Sequence, residues 1–271
     1  MEIRFLGTAA SEGWPGIFCQ CDSCRRAYKL GGKDVRTRTS LLINGEYMVD
    51  LTPDVYLHKL RYGLDLADVR HLFVTHAHYD HFCPDHFKMR KRPFAHMEGE
   101  RTLHIYGSED VGRELSRAIG DPEGYQIAYH LVNPFEDFTA GGISATAIAA
   151  DHDRSLTCLN YVLQLEGKTL LIGFDTGFYP EVTMAFLERF TFDVAIFDCT
   201  NGPLEGRRGH MGIPALIDLK LELFKRGVLR EGSKVIATHF SHNGGLTHRE
   251  LERRLVPEGV EVAYDGLVLK I

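Results

Sequence analysis

The sequence predicts an α/β fold. Short strand-like runs alternate with helix-like stretches along the whole chain, and strands dominate the count. The 271 residues are 44% hydrophobic and 25% charged, which is typical of a soluble globular protein. The length alone allows either one large domain or two half-size domains, but no Pro- or Ser-rich linker and no low-complexity segment divides the chain. We therefore predict a single domain over residues 1–271.

The predicted strands are short apolar runs, and the predicted helices are the longer stretches between them. The strands span residues 3–6, 40–43, 47–49, 71–74, 103–106, 143–149, 159–165, 169–172, 194–197 and 235–237. The helices span residues 53–61, 108–118, 180–189, 213–226 and 247–255. Ser108 precedes a Glu-Asp pair, and Thr247 stands three residues before Glu250. We therefore predict that Ser108 and Thr247 cap the N-termini of their helices.

The charge and hydropathy of the chain argue against two classes of partner. Subtracting 37 Asp and Glu from 31 Lys and Arg gives a formal net charge of −6, whereas nucleic-acid-binding domains are usually strongly basic. The first residues lack a cationic start followed by a long apolar stretch, and no apolar run approaches the ~20 residues of a membrane span. We expect a cytoplasmic protein with neither nucleic acid nor a membrane as its partner.

The most informative string is the sequence THAHYDH at residues 75–81, directly after an apolar run. In an extended chain His76 and His78 point to the same side, and the following turn can present Asp80 and His81 to a neighbouring point. Imidazole and carboxylate ligands suit zinc, manganese or iron, and a catalytic site leaves one position open for water. This one string can therefore serve two metal ions.

Three more candidate ligands follow predicted strands, namely His152, Asp175 and His239. The runs at 71–74 and 235–237 are both followed by a Thr-His pair, so histidines arrive from opposite ends of the sequence. Ligand sites of α/β proteins form at the carboxyl ends of strands. We predict a site between two related halves of the structure.

Three of the six cysteines, Cys19, Cys21 and Cys24, crowd into one stretch where mutual disulfides would be strained. Three thiolates are one ligand short of a closed tetrahedral zinc site. The candidates for the fourth ligand are Cys83, Cys158, Cys199 and His242. His242 is favoured because it lies three residues after His239. Such a zinc would anchor the long loop of residues 7–38.

The family that these motifs resemble is the metallo-β-lactamase superfamily of dinuclear hydrolases. The resemblance rests on the string at 76–81, on His152 in Ala-Asp-His-Asp, on Asp175 in Phe-Asp-Thr-Gly and on His239 in Thr-His-Phe-Ser, and it covers essentially the whole chain. It implies a four-layer αβ/βα sandwich. It also implies a first metal bound by His76, His78 and His152, a second bound by Asp80, His81 and His239, and a bridging role for Asp175.

Within the superfamily the chain resembles the phosphodiesterase and tRNA 3′-processing branch. It is most similar to the phosphodiesterases of the carbon–phosphorus lyase pathway, which carry a Cys-x-Cys-x-x-Cys loop near the N-terminus. That resemblance implies that His242 closes the structural zinc site of the three cysteines. It also places a catalytic histidine in the loop that contains His210, and it matches Asp50 to the aspartate that orients a metal-bound imidazole.

We expect hydrolysis of a small phosphodiester, such as a cyclic nucleotide or ribose phosphodiester, by attack of a metal-bridging hydroxide. Two divalent ions outweigh the charges of Asp80, Asp175 and the hydroxide, so the site favours an anionic substrate. His210 is the expected general acid for the leaving oxygen. Arg207 and Arg208 either hold phosphate oxygens or are solvated loop charges.

Other functions stay open from the sequence. A tRNA 3′-end endonuclease uses the same ligands, but no Gly-Pro-rich insertion of the kind that forms its tRNA-binding arm is visible. A thioester or lactone hydrolase would need no phosphate-binding arginines, and a metal-dependent carrier would need no turnover. The active-site metal can be zinc or manganese, with iron also possible. A homodimer is compatible with the sequence.

Overall fold

The computed structural model describes residues 1–271. Its strands are β1 (Glu2–Gly7), β2 (Ser40–Ile43), β3 (Tyr47–Val49), β4 (His71–Phe73), β5 (Leu103–Gly107), β6 (Ile127–Leu131), β7 (Asp137–Ala140), β8 (Ile143–Ala149), β9 (Leu159–Leu165), β10 (Lys168–Gly173), β11 (Val194–Asp198), β12 (Lys234–Thr238), β13 (Glu261–Val262) and β14 (Val268–Lys270). Its helices are α1 (Asp22–Leu30), α2 (Val55–Tyr62), α3 (Glu109–Ile119), α4 (Glu181–Leu187), α5 (Ile213–Lys225) and α6 (His248–Leu255).

The strands form two seven-stranded mixed sheets, ordered β14-β1-β2-β3-β4-β5-β6 and β13-β12-β11-β10-β9-β8-β7. In the first sheet β3 to β6 are parallel, and the other neighbours are antiparallel. In the second sheet β10 to β13 are parallel, and β7 to β10 pair in antiparallel fashion. Most of the parallel neighbours are joined by helical crossovers, because parallel strands cannot be joined by a tight turn.

Apolar side chains on both faces of the sheets explain the layering. The inner faces pack against each other through residues such as Phe5, Phe73, Tyr161 and Ile172, all fully buried. The outer face of the first sheet is covered by α2 and α3, and that of the second by α4, α5 and α6. The order helix, sheet, sheet, helix confirms the predicted αβ/βα sandwich.

The sequence does not predict five of these elements. The strands β13 and β14 have two and three residues, and β6 and β7 are partly exposed, so their apolar patterns are weak. Helix α1 lies inside the segment predicted as a long loop. It buries only Cys24 and Ala27 and therefore has no apolar stripe, and the sulfur of Cys21 caps its first turn by accepting from the Cys24 amide.

The two predicted helix caps differ in the structure. Thr247 forms a full capping box with Glu250 at the start of α6, which confirms the prediction. Ser108 occupies the cap position of α3, but its hydroxyl makes no capping hydrogen bond and is buried without a partner. The longest helix, α5, has 13 residues, and none of the helices is long and apolar enough to cross a bilayer.

Candidate active site

The two Thr-His pairs meet at the same edge of the sandwich, although they come from different sheets. His76 follows β4 in the first sheet, and His239 follows β12 in the second. His81, in the turn after His76, places its Nε2 atom 3.2 Å from Nε2 of His239. The structure thus brings histidines from the two halves of the chain into contact, as the strand-end pattern predicts.

Three histidines form the first cluster. The Nε2 atom of His76 lies 2.9 Å from Nδ1 of His78, and Nε2 of His152 lies 3.3 Å from that same Nδ1 atom. Three imidazole nitrogens that face one point are typical of a catalytic metal site, which keeps a further position open.

Asp80, His81, Asp175 and His239 form the second cluster, in which one ligand atom from each residue lies within 4.8 Å of the others. Nε2 of His81 is 3.3 Å from Oδ2 of Asp80 and 3.0 Å from Oδ1 of Asp175. Nε2 of His239 is 2.8 Å from the same Oδ1 atom. All four residues are buried.

Asp175 lies between the two clusters and faces both. Its Oδ1 atom points to the second cluster, whereas Oδ2 lies 3.9 Å from Nε2 of His76 and 3.6 Å from Nε2 of His152. The residue follows β10 in a left-handed conformation with φ of 40°, and Asp50 (62°) and His239 (57°) share this feature. Strain of about 1–3 kcal/mol at each such residue is typical of functional sites.

The donor set fits divalent cations. Burial keeps the pKa of His76 well below its usual range, so its imidazole is in the neutral form that binds metals. Burial opposes protonation of His81 too, but Asp175, Asp80 and Asp50 raise its pKa well above the usual range. The second cluster therefore carries negative charge that a cation would balance. Oδ1 of Asp175 is also buried without a hydrogen bond of good geometry, which suits a metal ligand.

Asp50 follows β3 and supports His81. Its Oδ2 atom lies 2.6 Å from Nδ1 of His81, and Thr75 donates its backbone amide and its hydroxyl to the carboxylate, each at 2.8 Å. The carboxylate is fully buried. Because Nδ1 of His81 faces this carboxylate, Nε2 is left for the cluster, which is the geometry that the orienting role of Asp50 requires.

Two further contacts, which the sequence does not reveal, orient the first cluster. Nε2 of His78 lies 3.2 Å from Oδ2 of Asp153, and Nδ1 of His152 donates to the carbonyl oxygen of Gly209 at 3.0 Å. His78 therefore presents Nδ1 to the cluster, whereas His152 presents Nε2. The position of Asp153 beside His152 in the Ala-Asp-His-Asp motif was the available signal.

His210 lies beside both clusters, with its ring centroid 4.7 Å from that of His152 and 5.6 Å from that of His239. Its Nδ1 atom lies 2.7 Å from Oδ2 of Asp198, which leaves Nε2 free. Burial lowers the pKa of His210, but the attraction to Asp198 raises it further, to about 9. The imidazole is then protonated at neutral pH, as a proton donor must be.

Asp198 is a site residue that the sequence analysis missed. It ends β11 and is fully buried. Its Oδ1 atom accepts hydrogen bonds from the backbone amides of Thr200 and Met211, each at 3.0 Å. The Thr200 hydroxyl donates to Asp198 at 3.0 Å, and its oxygen lies 2.7 Å from Nδ1 of His239. Asp198 thus holds His210 directly and His239 through Thr200. The signal was an aspartate at the end of a predicted strand, as for Asp175.

The three cysteines of the N-terminal segment meet His242 next to this site. Nδ1 of His242 lies 3.7 Å from Sγ of Cys19 and 3.5 Å from Sγ of Cys21, and all four ligand atoms lie within 4.8 Å of one another. A hydrogen bond from the Cys24 amide lowers the pKa of Cys21 to about 6, whereas burial raises that of Cys24 to about 12. Cys83, Cys158 and Cys199 stay outside the group as free, buried thiols.

The two arginines of the His210 loop lie away from the clusters. Arg207 forms an ion pair with Asp218 of α5, and its guanidinium lies 5.4 Å from the ring centroid of Phe178. Arg208 is exposed. Neither side chain lines the cleft beside the clusters. The structure therefore places both arginines outside the site for which they were considered.

An open cleft of about 530 Å³ gives access to both clusters. It is lined by Ala10, Ser11, Glu12, His78, Tyr79, Asp80, His152, Asp175, Thr200, His210, His239, Ser241 and Asn243. The lining contains the free side of His210 and residues from both ends of the sequence. Most of these residues have polar side chains, so the cleft suits a small polar ligand.

Several solved structures share this fold. A diphosphatase from the PhnP family is 24% identical, with a TM-score of 0.76 and coverage of 100% of this chain and 97% of that chain. Zn²⁺-bound PqqB from Methylobacterium extorquens is 18% identical, with a TM-score of 0.75 and 100% of both chains covered. The short form of human tRNase Z is 16% identical, with a TM-score of 0.69, covering 100% of this chain and 99% of that chain. No curated protein sequence matches the chain.

The sandwich fold and the converging histidines and aspartates define a metal-dependent hydrolase of the metallo-β-lactamase type. Residues 47–240 match the beta-lactamase superfamily domain, and the chain belongs to that family. The matched region includes every residue of the two clusters, together with Asp50, Asp198 and His210.

Proposed function

We propose that this hydrolase is a dinuclear phosphodiesterase that acts on a small phosphodiester. The observation that carries the proposal is the position of Asp175, whose two carboxylate oxygens face two separate ligand clusters beside His210. Pairs of metal ions held about 3.5–4 Å apart are typical of enzymes that displace groups at phosphorus.

The first ion would be held by His76, His78 and His152, and the second by Asp80, His81 and His239, with Asp175 as the shared ligand. Two divalent ions held there would supply a hydroxide nucleophile at neutral pH and would neutralise charge on the phosphoryl oxygens. Zinc and manganese both suit this set of nitrogen and oxygen donors, and iron fits it too.

His210 would protonate the leaving oxygen of the substrate. Its Nδ1 atom is engaged by Asp198, so Nε2 is the atom that can hold the transferred proton. Asp198 favours the protonated imidazole by its charge and fixes the ring by its hydrogen bond. Asp50 and Asp153 would fix His81 and His78 in the orientations needed for binding metals.

A small substrate is better supported than an RNA. The cleft is lined by no lysine or arginine, whereas an RNA ligand requires cationic groups along its phosphates. The similarity to a PhnP-family diphosphatase also favours reactions at phosphorus, although the similarity to human tRNase Z indicates that the same fold is also used by an enzyme named for tRNA.

The test is turnover of bis-p-nitrophenyl phosphate and of 2′,3′-cyclic nucleotides by protein reconstituted with Zn²⁺ or Mn²⁺. We expect hydrolysis that Asp80→Ala abolishes. Asp85→Ala, which removes a neighbouring carboxylate that is 66% exposed and paired with Lys88, is expected to retain it. Fully metallated protein that hydrolyses thioesters or lactones but no phosphodiester would contradict the proposal.

We further propose a structural zinc ion bound by Cys19, Cys21, Cys24 and His242. Sulfur and imidazole donors in a set of four are typical of closed tetrahedral zinc sites. Backbone amides support the thiolates, since the Gly16 amide donates to Cys24 at 3.3 Å and the Cys24 amide donates to Cys21 at 3.4 Å. The ion would tie α1 to the loop after β12, and so to the wall of the cleft.

Replacing Cys21 with serine is expected to remove this zinc while the two active-site ions remain. Metal analysis by mass spectrometry should then show about one equivalent less than in the unchanged protein, because structural zinc is lost when its ligand set is incomplete. Cys158→Ser is the matched control, since that thiol is buried outside the group. Equal zinc contents in Cys21→Ser and the unchanged protein would refute the structural site.

A further inference from the structure

Apart from its histidines, the side chains that line the cleft carry only negative charges. Its lining has carboxylates at Glu12, Asp80 and Asp175, and no lysine or arginine. Asp80 and Asp175 belong to the metal clusters, so their charge would be balanced by bound cations. Glu12 does not belong to a metal cluster. It is therefore the one carboxylate of the lining whose charge is left to act on a substrate.

Glu12 is held in place from two sides. The Ser241 hydroxyl donates to its Oε1 atom at 2.5 Å, and Nε2 of His242 lies 3.5 Å from the same oxygen. Nε of Arg38 donates to the carbonyl oxygen of Ser11 at 2.8 Å, which fixes the backbone next to Glu12. The Glu12 side chain is 32% exposed. Oε2 makes no hydrogen bond within the protein and is available to a ligand.

The nearby cations are engaged elsewhere. Arg38 pairs with Asp54 at 2.9 Å, and Arg207 pairs with Asp218. A second phosphate group placed beside Glu12 would find no lysine or arginine in the lining to balance its charge. An uncharged group with hydroxyls would instead find an acceptor in Glu12 and hydrogen-bonding side chains in Ser11 and Asn243.

We propose that Glu12 makes the enzyme selective for phosphodiesters whose remaining part is uncharged and hydroxylated, and that it excludes esters with a second phosphate. The inference rests on the proposed phosphodiesterase function. A carboxylate that accepts hydrogen bonds from sugar hydroxyls favours such substrates. The same charge, with no lysine or arginine in the lining, penalises an additional anion because like charges brought together at a binding site repel each other.

The test compares two substrates that differ by one phosphate, namely adenosine 2′,3′-cyclic phosphate and its 5′-phosphorylated form. We expect the metal-loaded enzyme to prefer the first by about tenfold or more in kcat/KM, since a juxtaposed like charge costs at least one such factor. Glu12→Gln should reduce this preference to near unity, mainly through a lower KM for the 5′-phosphorylated substrate. Glu12→Asp, which keeps the charge, should retain most of it.

Two controls separate the possible reasons for a change. Glu98→Gln removes an exposed carboxylate outside the cleft and should leave the preference unchanged, which excludes an effect of net charge. The zinc content of Glu12→Gln, measured in parallel, should equal that of the unchanged protein, which excludes loss of the cysteine site through His242.

A binding measurement judges Glu12 independently of turnover. Calorimetric titration with adenosine 3′-phosphate and adenosine 3′,5′-bisphosphate should show the same selectivity and the same loss of it in Glu12→Gln. If both phosphodiesters are hydrolysed and their ratio is unchanged in Glu12→Gln, the role of Glu12 is wrong although the proposed function stands. If neither is hydrolysed the proposed function fails, and an unchanged ratio of binding constants overturns the role of Glu12 as well.

Discussion

Asp175→Asn is expected to lower kcat/KM for phosphodiesters by about a thousandfold or more and to lower the metal content of the active site. Replacing an outer partner of a metal ligand typically costs about 10–100-fold in metal affinity or activity. Asp175 faces both clusters at once, so the substitution weakens two sites together.

Asparagine is the informative replacement because of the backbone. Asp175 has φ of 40°, a left-handed conformation that asparagine adopts at least as readily as aspartate, whereas alanine disfavours it. The variant therefore removes a charge and an anionic ligand atom without adding backbone strain. A loss of activity can then be assigned to the carboxylate.

The measurement is kcat/KM together with metal analysis of the same samples. Asp121→Asn is the matched control, since Asp121 is exposed and bonds only the nearby Glu123 amide, and it should retain full activity. Undiminished turnover and full metal occupancy in Asp175→Asn would exclude the shared-ligand role.

Much of this site was predictable because its ligands follow a local rule. The string at residues 76–81 is contiguous, and Asp175 and His239 each stand directly after an apolar strand, where α/β proteins place ligands. The apolar runs that form the inner strands are equally visible, and they carry the sandwich fold. The structure brings His152 and His210 to the same place, as the motif resemblance implies.

What the sequence missed depends on packing between distant segments. The role of Asp198 requires the loop after β11 to fold back, so that His210 and Thr200 reach the carboxylate. Contacts with Asp218 and Phe178 set the orientation of the Arg207 side chain. Nothing in the local sequence shows that this side chain points away from the metal clusters. Helix α1 packs on the core through Cys24 and Ala27 alone, a pattern too short for the sequence to reveal a helix.

His210→Ala is expected to show an effect that depends on the leaving group. General-acid catalysis typically contributes about 10²–10⁴-fold, but only where the leaving oxygen needs a proton. The alkoxide released from a 2′,3′-cyclic nucleotide needs one, whereas p-nitrophenolate is stable without it. We therefore expect a loss in that range for the cyclic nucleotide and a loss below about tenfold for bis-p-nitrophenyl phosphate.

The measurement is the ratio of kcat for the two substrates, in the unchanged enzyme and in the variant, at equal metal occupancy. His96→Ala, at an exposed position, should leave the ratio unchanged. Equal losses for both substrates in His210→Ala would mean that His210 supports the metal clusters and does not donate a proton.

The pH dependence of kcat provides a second test of His210 as the proton donor. Burial lowers the pKa of His210, but Asp198 raises it more, to about 9, so the proton is present at neutral pH and is lost as the pH rises through that value. Asp198→Asn removes the attraction, so the pKa of His210 should fall.

The alkaline decline of kcat for the cyclic nucleotide should then move to lower pH in Asp198→Asn. The pH profile for bis-p-nitrophenyl phosphate should not move with it, because its leaving group needs no proton. An alkaline decline that stays in place in Asp198→Asn would show that another group, and not His210, carries the proton that the leaving alkoxide receives.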